Sequence, residues 1–227
     1  ECTLLHKGTW SFSIPNTTPY IVISSPQNLE HVLKHSFDKY EKGSAYREHF
    51  HELLGDGIFN TDGALWKEQR QLALQQFRRR ELREHISEVM IARSNAVLEL
   101  LEQKAINNEI FDLQSIFYAY TLDTFSEIAF GHNIDSLHAE SSFAQAFDRS
   151  QWLVNRRFTT PWWRLERKLD IGQEKSLRKS VQHLNSYVAA IVQERMALSS
   201  EALADKPDLL SKFTQQPLNA EAKSTTT

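Results

Sequence analysis

Residues 55–70 read Gly55-Asp56-Gly57-Ile58-Phe59-Asn60-Thr61-Asp62-Gly63-Ala64-Leu65-Trp66-Lys67-Glu68-Gln69-Arg70. A turn-rich approach gives way here to helical periodicity. Asp62 stands at the N-cap position of the predicted helix, and Leu65, Trp66, Leu72, Ala73 and Phe77 are its candidate inward positions. The spacing of four puts the Trp66 indole and the Arg70 guanidinium on one helical face, one turn apart. Both groups donate hydrogen bonds and accept none, so together they could clamp carboxylates in a partly buried site. A tryptophan packed inside, with an arginine reaching past it to water, satisfies the same spacing.

Working outward, the stretch 43–63 holds four of the seven glycines around Phe50, Leu53, Leu54, Ile58 and Phe59. It reads as a loop with one or two embedded helical turns. Upstream, Thr9 to Ile14 alternates polar and apolar, Pro15-Asn16 signals a turn, and Tyr20-Ile21-Val22-Ile23 is β-branched and aromatic. That is the pattern of a β-hairpin. Ser25-Pro26 then opens a short helix that ends before Phe37, with Ser25 as N-cap, Pro26 at the first helical position and Leu29, Val32 and Leu33 as its apolar face. Downstream, helical periodicity predicts helices over about 80–104, 113–130, 141–158 and 173–198. Asn107-Asn108, Gly131-His132-Asn133 and Thr159-Thr160-Pro161 break them. The fold class is mainly α with a small N-terminal β-hairpin. The hairpin and the glycine-rich stretch do not fit an isolated four-helix bundle.

Bulk properties narrow the function. Of 227 residues, 41% are hydrophobic and 24% charged, which suits a globular domain, and thirteen Phe, six Tyr and five Trp can fill a core. A formal charge of −3, with cations dispersed along the chain, gives no electrostatic footprint for nucleic acid. The single cysteine, Cys2, excludes an internal disulfide framework and suits a cytosol-facing domain. No apolar run reaches the length needed to span a bilayer. The chain begins at Glu1 and ends in Lys223-Ser224-Thr225-Thr226-Thr227, a pattern that suits cut ends and leaves room for a membrane anchor upstream. Asn16-Thr17-Thr18 is a formal glycosylation sequon, a triplet common by chance.

The block from Gly55 through Trp66 and Arg70 to Phe77 closely resembles the cytochrome P450 segment running into the helix that contacts the haem propionates. Other segments resemble the same family in the same order. Pro19-Tyr20-Ile21-Val22 and Asn28-Leu29-Glu30-His31-Val32-Leu33 match its first sheet and following helix. Phe143-Ala144-Gln145-Ala146-Phe147-Asp148 and Leu169-Asp170-Ile171-Gly172 match the two helices that roof the substrate channel, and Asp208-Leu209-Leu210-Ser211 matches the approach to the long central helix. The nearest branch is that of the plant and fungal fatty-acid ω-hydroxylases.

The resemblance implies the N-terminal half of the cytochrome P450 fold, with residues 1–227 forming a partial domain. It implies haem as cofactor in the complete protein, held through Trp66 and Arg70, and Phe50, Leu53, Leu54, Ile58 and Phe59 lining the substrate entrance. It implies an oxidoreductase, a monooxygenase hydroxylating a long-chain aliphatic substrate such as a fatty acid. Its partners would be NADPH-cytochrome P450 reductase or a similar electron donor, a long-chain lipid and a membrane surface, at the cytosolic face of the endoplasmic reticulum. The sequence departs from the family in lacking the central helix's acid–threonine pair, the Glu-x-x-Arg helix and a cysteine in a glycine-rich loop. Cys2 has no such context, so no catalytic residue and no metal ligand is expected here, and the fragment alone is expected to be inactive. The alternative is a truncated, haem-free helical module acting through protein or membrane contacts.

Three further groups have two readings each. His31 with His35, and His49 with His51, are half-sites for a metal or plain surface histidines. Arg78, Arg79, Arg80 and Arg83 form a solvated face or a docking patch for an acidic reductase. Phe158, Trp162 and Trp163, set among Arg156, Arg157 and Arg164, suit a membrane interface or core packing. No phosphate-binding loop, nucleophile elbow or His-Glu-x-x-His motif occurs.

Overall fold

A computed structural model of the chain describes residues 8–13, 19–139 and 141–214. Cys2, the Pro15-Asn16 turn, the sequon at Asn16 and the tail at 223–227 lie outside them.

Strands β1 (Thr9–Phe12) and β2 (Tyr20–Ile23) pair antiparallel, Thr9 opposite Ile23 and Phe12 opposite Tyr20. Phe12 and Tyr20 stack across the ladder at 5.0 Å, the cross-strand aromatic contact that favours a hairpin. Helix α1 (Pro26–Glu30) starts as its sequence demands, with the Ser25 hydroxyl accepting from the Asn28 N–H and Pro26 in the first turn. It continues as a π-turn (His31–His35) and a 3₁₀ turn (Phe37–Lys39).

The stretch expected to be mostly loop is a 12-residue helix, α2 (Gly43–Leu54). Glycines at its two edges suggest a loop. They mark its ends instead, since Gly43 (φ +79°) opens it and Gly55 (φ +53°) closes it in conformations open to glycine. Then follow α3 (Gly63–Phe77), α4 (Arg80–Ile106), α5 (Leu113–Phe130) and α6 (Ser142–Arg156). Short α7 (Trp163–Leu169) leads to α8 (Gly172–Met196), α9 (Ser200–Ala204) and α10 (Leu209–Thr214). Helices α4, α5, α6 and α8 are the four expected from periodicity.

Helices α6 and α8 pack face to face. Leu153 and Val154 of α6 meet Leu177 and Val181 of α8, with Phe50 and Leu53 of α2 against them. Phe143, Ala146 and Leu184 continue the same seam. The three-and-four spacing of these residues puts one stripe of each helix inside. A second cluster joins Leu82 and Val89 of α4 to Ile128 of α5 and Leu209 of α10. Within α5, the fully buried Asp123 accepts the backbone N–H groups of Ser136 and Leu137 and the Ser136 hydroxyl. A carboxylate inside a helix therefore fastens the loop that leaves it. Gly131 ends α5 at φ +62°, and a Cβ there would stand 3.0 Å from both the Arg195 guanidinium and the Asp208 carboxylate. Any side chain there would strain the left-handed backbone and press on the Arg195–Asp208 pair.

Candidate functional site

The loop before α3 is folded back on itself. The buried Asn60 amide donates to the carbonyls of Gly55 (2.8 Å) and Arg47 (3.3 Å). The buried Thr61 hydroxyl donates to Gly57 O (3.2 Å), and Gln69, on α3, donates to Asp56 O (2.7 Å). Asp62 does occupy the N-cap position of α3, but its carboxylate does not cap that helix. It accepts instead from the N–H groups of Lys42 and Gly43, both at 3.1 Å, and so caps α2. Burial pushes the Asp62 carboxyl up, but those two N–H groups and the Lys42 ammonium outweigh it and hold its pKa below the ordinary value. One residue therefore fixes the angle between α2 and α3.

On that base sit Trp66 and Arg70, brought together as their spacing predicts. The guanidinium lies 5.3 Å from the centre of the indole, Phe37 packs 5.1 Å from the same ring, and the Lys42 ammonium lies 5.9 Å away. Trp66 is half-buried and Arg70 exposed, as the packing reading of the pair also requires. Among the described residues neither the indole N–H nor the Arg70 fork meets an acceptor. An indole and a guanidinium with their donors unspent on one face form a donor set that fits a pair of carboxylates. The rest of α3 corrects the expected inward face. Leu65 and Phe77 are exposed, Leu72 and Ala73 half-buried, and the fully buried residue is Gln76, whose amide meets no partner among the described residues. Periodicity finds a stripe, but α3 meets too little of the described chain to cover it.

The five expected substrate-wall residues separate. Phe50, Leu53 and Leu54 line a cavity of about 350 Å³ with Phe147, Gln151, Val154 and Asn155 of α6. Ile58 is half-buried outside it, and Phe59 is 71% exposed. The α6 contribution was missed from sequence because nothing local says that α2 lies across α6.

Also missed was the ionic network that holds α2 in place. Arg157 is 3% exposed and makes a two-pronged bond to Glu174 (2.9 and 2.6 Å) and a further one to Glu52 (2.7 Å). Arg164 pairs with Glu48 (2.8 Å) and Arg167 with Glu52 (3.1 Å). Glu48 and Glu52 share a face of α2, so two carboxylates four apart meet three arginines more than a hundred residues away. The Glu48 carboxyl is lowered chiefly by its bond from Arg164. Burial raises that of Glu52, but the bond and charge of Arg157 lower it further. Burial likewise works against the Arg157 charge, and its two carboxylates reverse that, raising its pKa.

The tryptophan pair has divided fates. Trp163 is 3% exposed, with Arg157, Arg164 and Arg167 at 4.4, 4.9 and 5.4 Å from its ring and His49 at 5.1 Å. It is a core residue. Trp162 is 63% exposed and Phe158 stacks on His49 at 4.7 Å. Arg78, Arg79, Arg80 and Arg83 are all exposed at the α3–α4 corner, with Arg80 paired to Glu84 at 2.7 Å. His35 lies 3.4 Å from Glu30, and no group of three metal-binding side chains occurs among the described residues. No helix among them is long and apolar enough to cross a membrane.

A helical chain with a minor two-stranded sheet defines a class that sequence and structure comparisons place. The sequence model of the family described as Cytochrome P450 matches residues 8–227, and the chain belongs to that family. It is 34% identical to "Cytochrome P450 704B1" of Arabidopsis thaliana, over 98% of this chain and 45% of that protein. It is 32% identical to "Cytochrome P450 94A1" of Vicia sativa, over 85% and 39%. A solved cytochrome P450 (CYP102L1) superposes with a TM-score of 0.75 at 16% identity, over 96% of this chain and 49% of that one, a likeness of fold. The chain thus spans less than half the length of these curated relatives and corresponds to the N-terminal half of the fold.

Proposed function

We propose that this chain forms one wall of the active site of a haem-dependent monooxygenase acting on a long-chain aliphatic substrate such as a fatty acid. The observation that carries the reading is the Trp66–Arg70 pair, whose donors share one face of α3 and meet no acceptor among the described residues. In this reading they hold the haem propionates, and Phe50, Leu53 and Leu54 form a dry wall for the substrate chain. Ile58 and Phe59 line its approach. The haem, when bound, supplies the iron at which dioxygen is activated, and its thiolate comes from sequence beyond this chain. Electrons come from NADPH-cytochrome P450 reductase or a similar donor, for which the exposed arginines 78–80 and 83 offer a basic corner. The placement is the cytosolic face of the endoplasmic reticulum, with exposed Trp162 at the membrane surface.

Titrating the 227-residue chain with haemin, followed by absorbance, tests the clamp. Arg70→Ala should weaken haemin binding about tenfold, since a charge-assisted hydrogen bond is lost. Reduction under carbon monoxide should give no thiolate-type band. Equal binding by the variant overturns the role of Arg70 and favours a haem-free helical module, a reading to which the exposed Leu113, Phe117 and Phe125 of α5 lend support. A thiolate-type band from this chain alone overturns the assignment of the thiolate to another segment.

A further inference from the structure

The cavity between α2 and α6 has no charged residue in its lining. Its walls are apolar, and Gln151 and Asn155, exposed and one turn apart on α6, supply its polar groups. Neither amide meets a partner among the described residues. Arginines near these residues are turned or engaged elsewhere, Arg149 lining a different cavity with Trp152 and Gln173. Arg47 pairs with Asp56, Arg157 with Glu52 and Glu174, and Arg167 with Glu52, while Arg156 lies over Trp152. Glu52, beside Leu53 in sequence, is held by Arg157 and Arg167, and Asp148, beside Phe147, lines another cavity with Tyr118, so no charge of either sign enters this lining. A carboxylate drawn in here would lose hydration and meet no cation, whereas a neutral polar group would exchange its water bonds for amide bonds.

We infer that the cavity selects an aliphatic chain whose polar end is neutral, an ester, alcohol or amide held by Gln151 and Asn155, over a free carboxylate. The inference rests on the reading of Phe50, Leu53 and Leu54 as the substrate wall, and narrows that substrate from a free fatty acid to a neutral derivative of one. Both amides are neutral and offer donor and acceptor together, so they satisfy a hydroxyl or carbonyl fully and an anion only in part.

The test is calorimetric titration of the 227-residue chain with octan-1-ol, octanoate and the apolar isostere 1-chlorooctane. An alcohol outbinds its carboxylate on any apolar surface, so the diagnostic readout is the response to substitution. Joint replacement Gln151→Leu and Asn155→Leu, at exposed positions, should weaken octan-1-ol about fivefold and leave 1-chlorooctane unweakened. Asn155→Arg should raise octanoate affinity about tenfold by supplying the missing cation. Unchanged octan-1-ol binding in the leucine variant, or octanoate already the tighter ligand in the unsubstituted chain, overturns the head-group inference while leaving the wall intact. No binding by any of the three probes removes the wall assignment itself and the inference with it.

Discussion

Helices α6 and α8 enclose a continuous seam from Phe143 to Val181 and are bolted to α2 and α7 by a buried arginine. Helix α3, the bearer of Trp66 and Arg70, buries no apolar residue, and α5 leaves Leu113, Phe117 and Phe125 outside. The first region resolves its own polar and apolar demands within the chain. The second presents unspent donors and uncovered hydrophobes, the condition of a surface shaped for something other than water. The contrast separates a self-sufficient roof from a face that the described residues leave uncovered.

The contrast breaks most visibly if the roof proves soft. Leu177→Ala, at a residue 1% exposed, should cost about 4 kcal/mol in urea unfolding, whereas Leu74→Ala, at a residue 44% exposed, should cost under about 1 kcal/mol. Equal costs would erase the distinction. Next comes Glu174→Gln, which strips Arg157 of its two-pronged partner and leaves a buried cation half-compensated. About 3 kcal/mol should be lost by the same measurement.

Acid should sharpen the picture by freeing α2 alone. Glu52 and Asp62 both have carboxyls held below their ordinary pKa values. Their contribution is therefore complete above those values and is lost as the pH falls through the lowered ones, from about pH 4 downward. Peptic cleavage within 43–54 should appear there before any within the α6–α8 seam. Simultaneous cleavage of both would show that the carboxylates do not govern α2.

The smallest effect divides two neighbours. Trp162→Ser should reduce liposome binding of the chain only about two- to fivefold while leaving its circular dichroism unchanged, since the side chain stands in solvent. Trp163→Ser should instead unfold the α2–α7 junction. Unaltered liposome partitioning of the Trp162 variant would withdraw that residue from the membrane surface.

Much of this was legible locally. The hairpin, the Ser25-Pro26 helix start, the breaks at Asn107, Gly131 and Thr159, and the shared face of Trp66 and Arg70 all follow from backbone preferences and a period of 3.6, which act over a few residues. The family likeness rests on the same local blocks in order. Tertiary structure alone decided that α2 is a full helix with glycine at both ends, that Asp62 caps α2 instead of its own helix, and which of two adjacent tryptophans is buried. It alone joined Glu48 and Glu52 to arginines beyond residue 156 and divided the expected substrate wall, three residues in a cavity, Ile58 half-buried outside it and Phe59 in solvent. Those outcomes depend on which surfaces meet across a hundred residues of chain, and neither spacing nor propensity encodes that meeting, because packing and charge pairing are settled only once helices lie against one another.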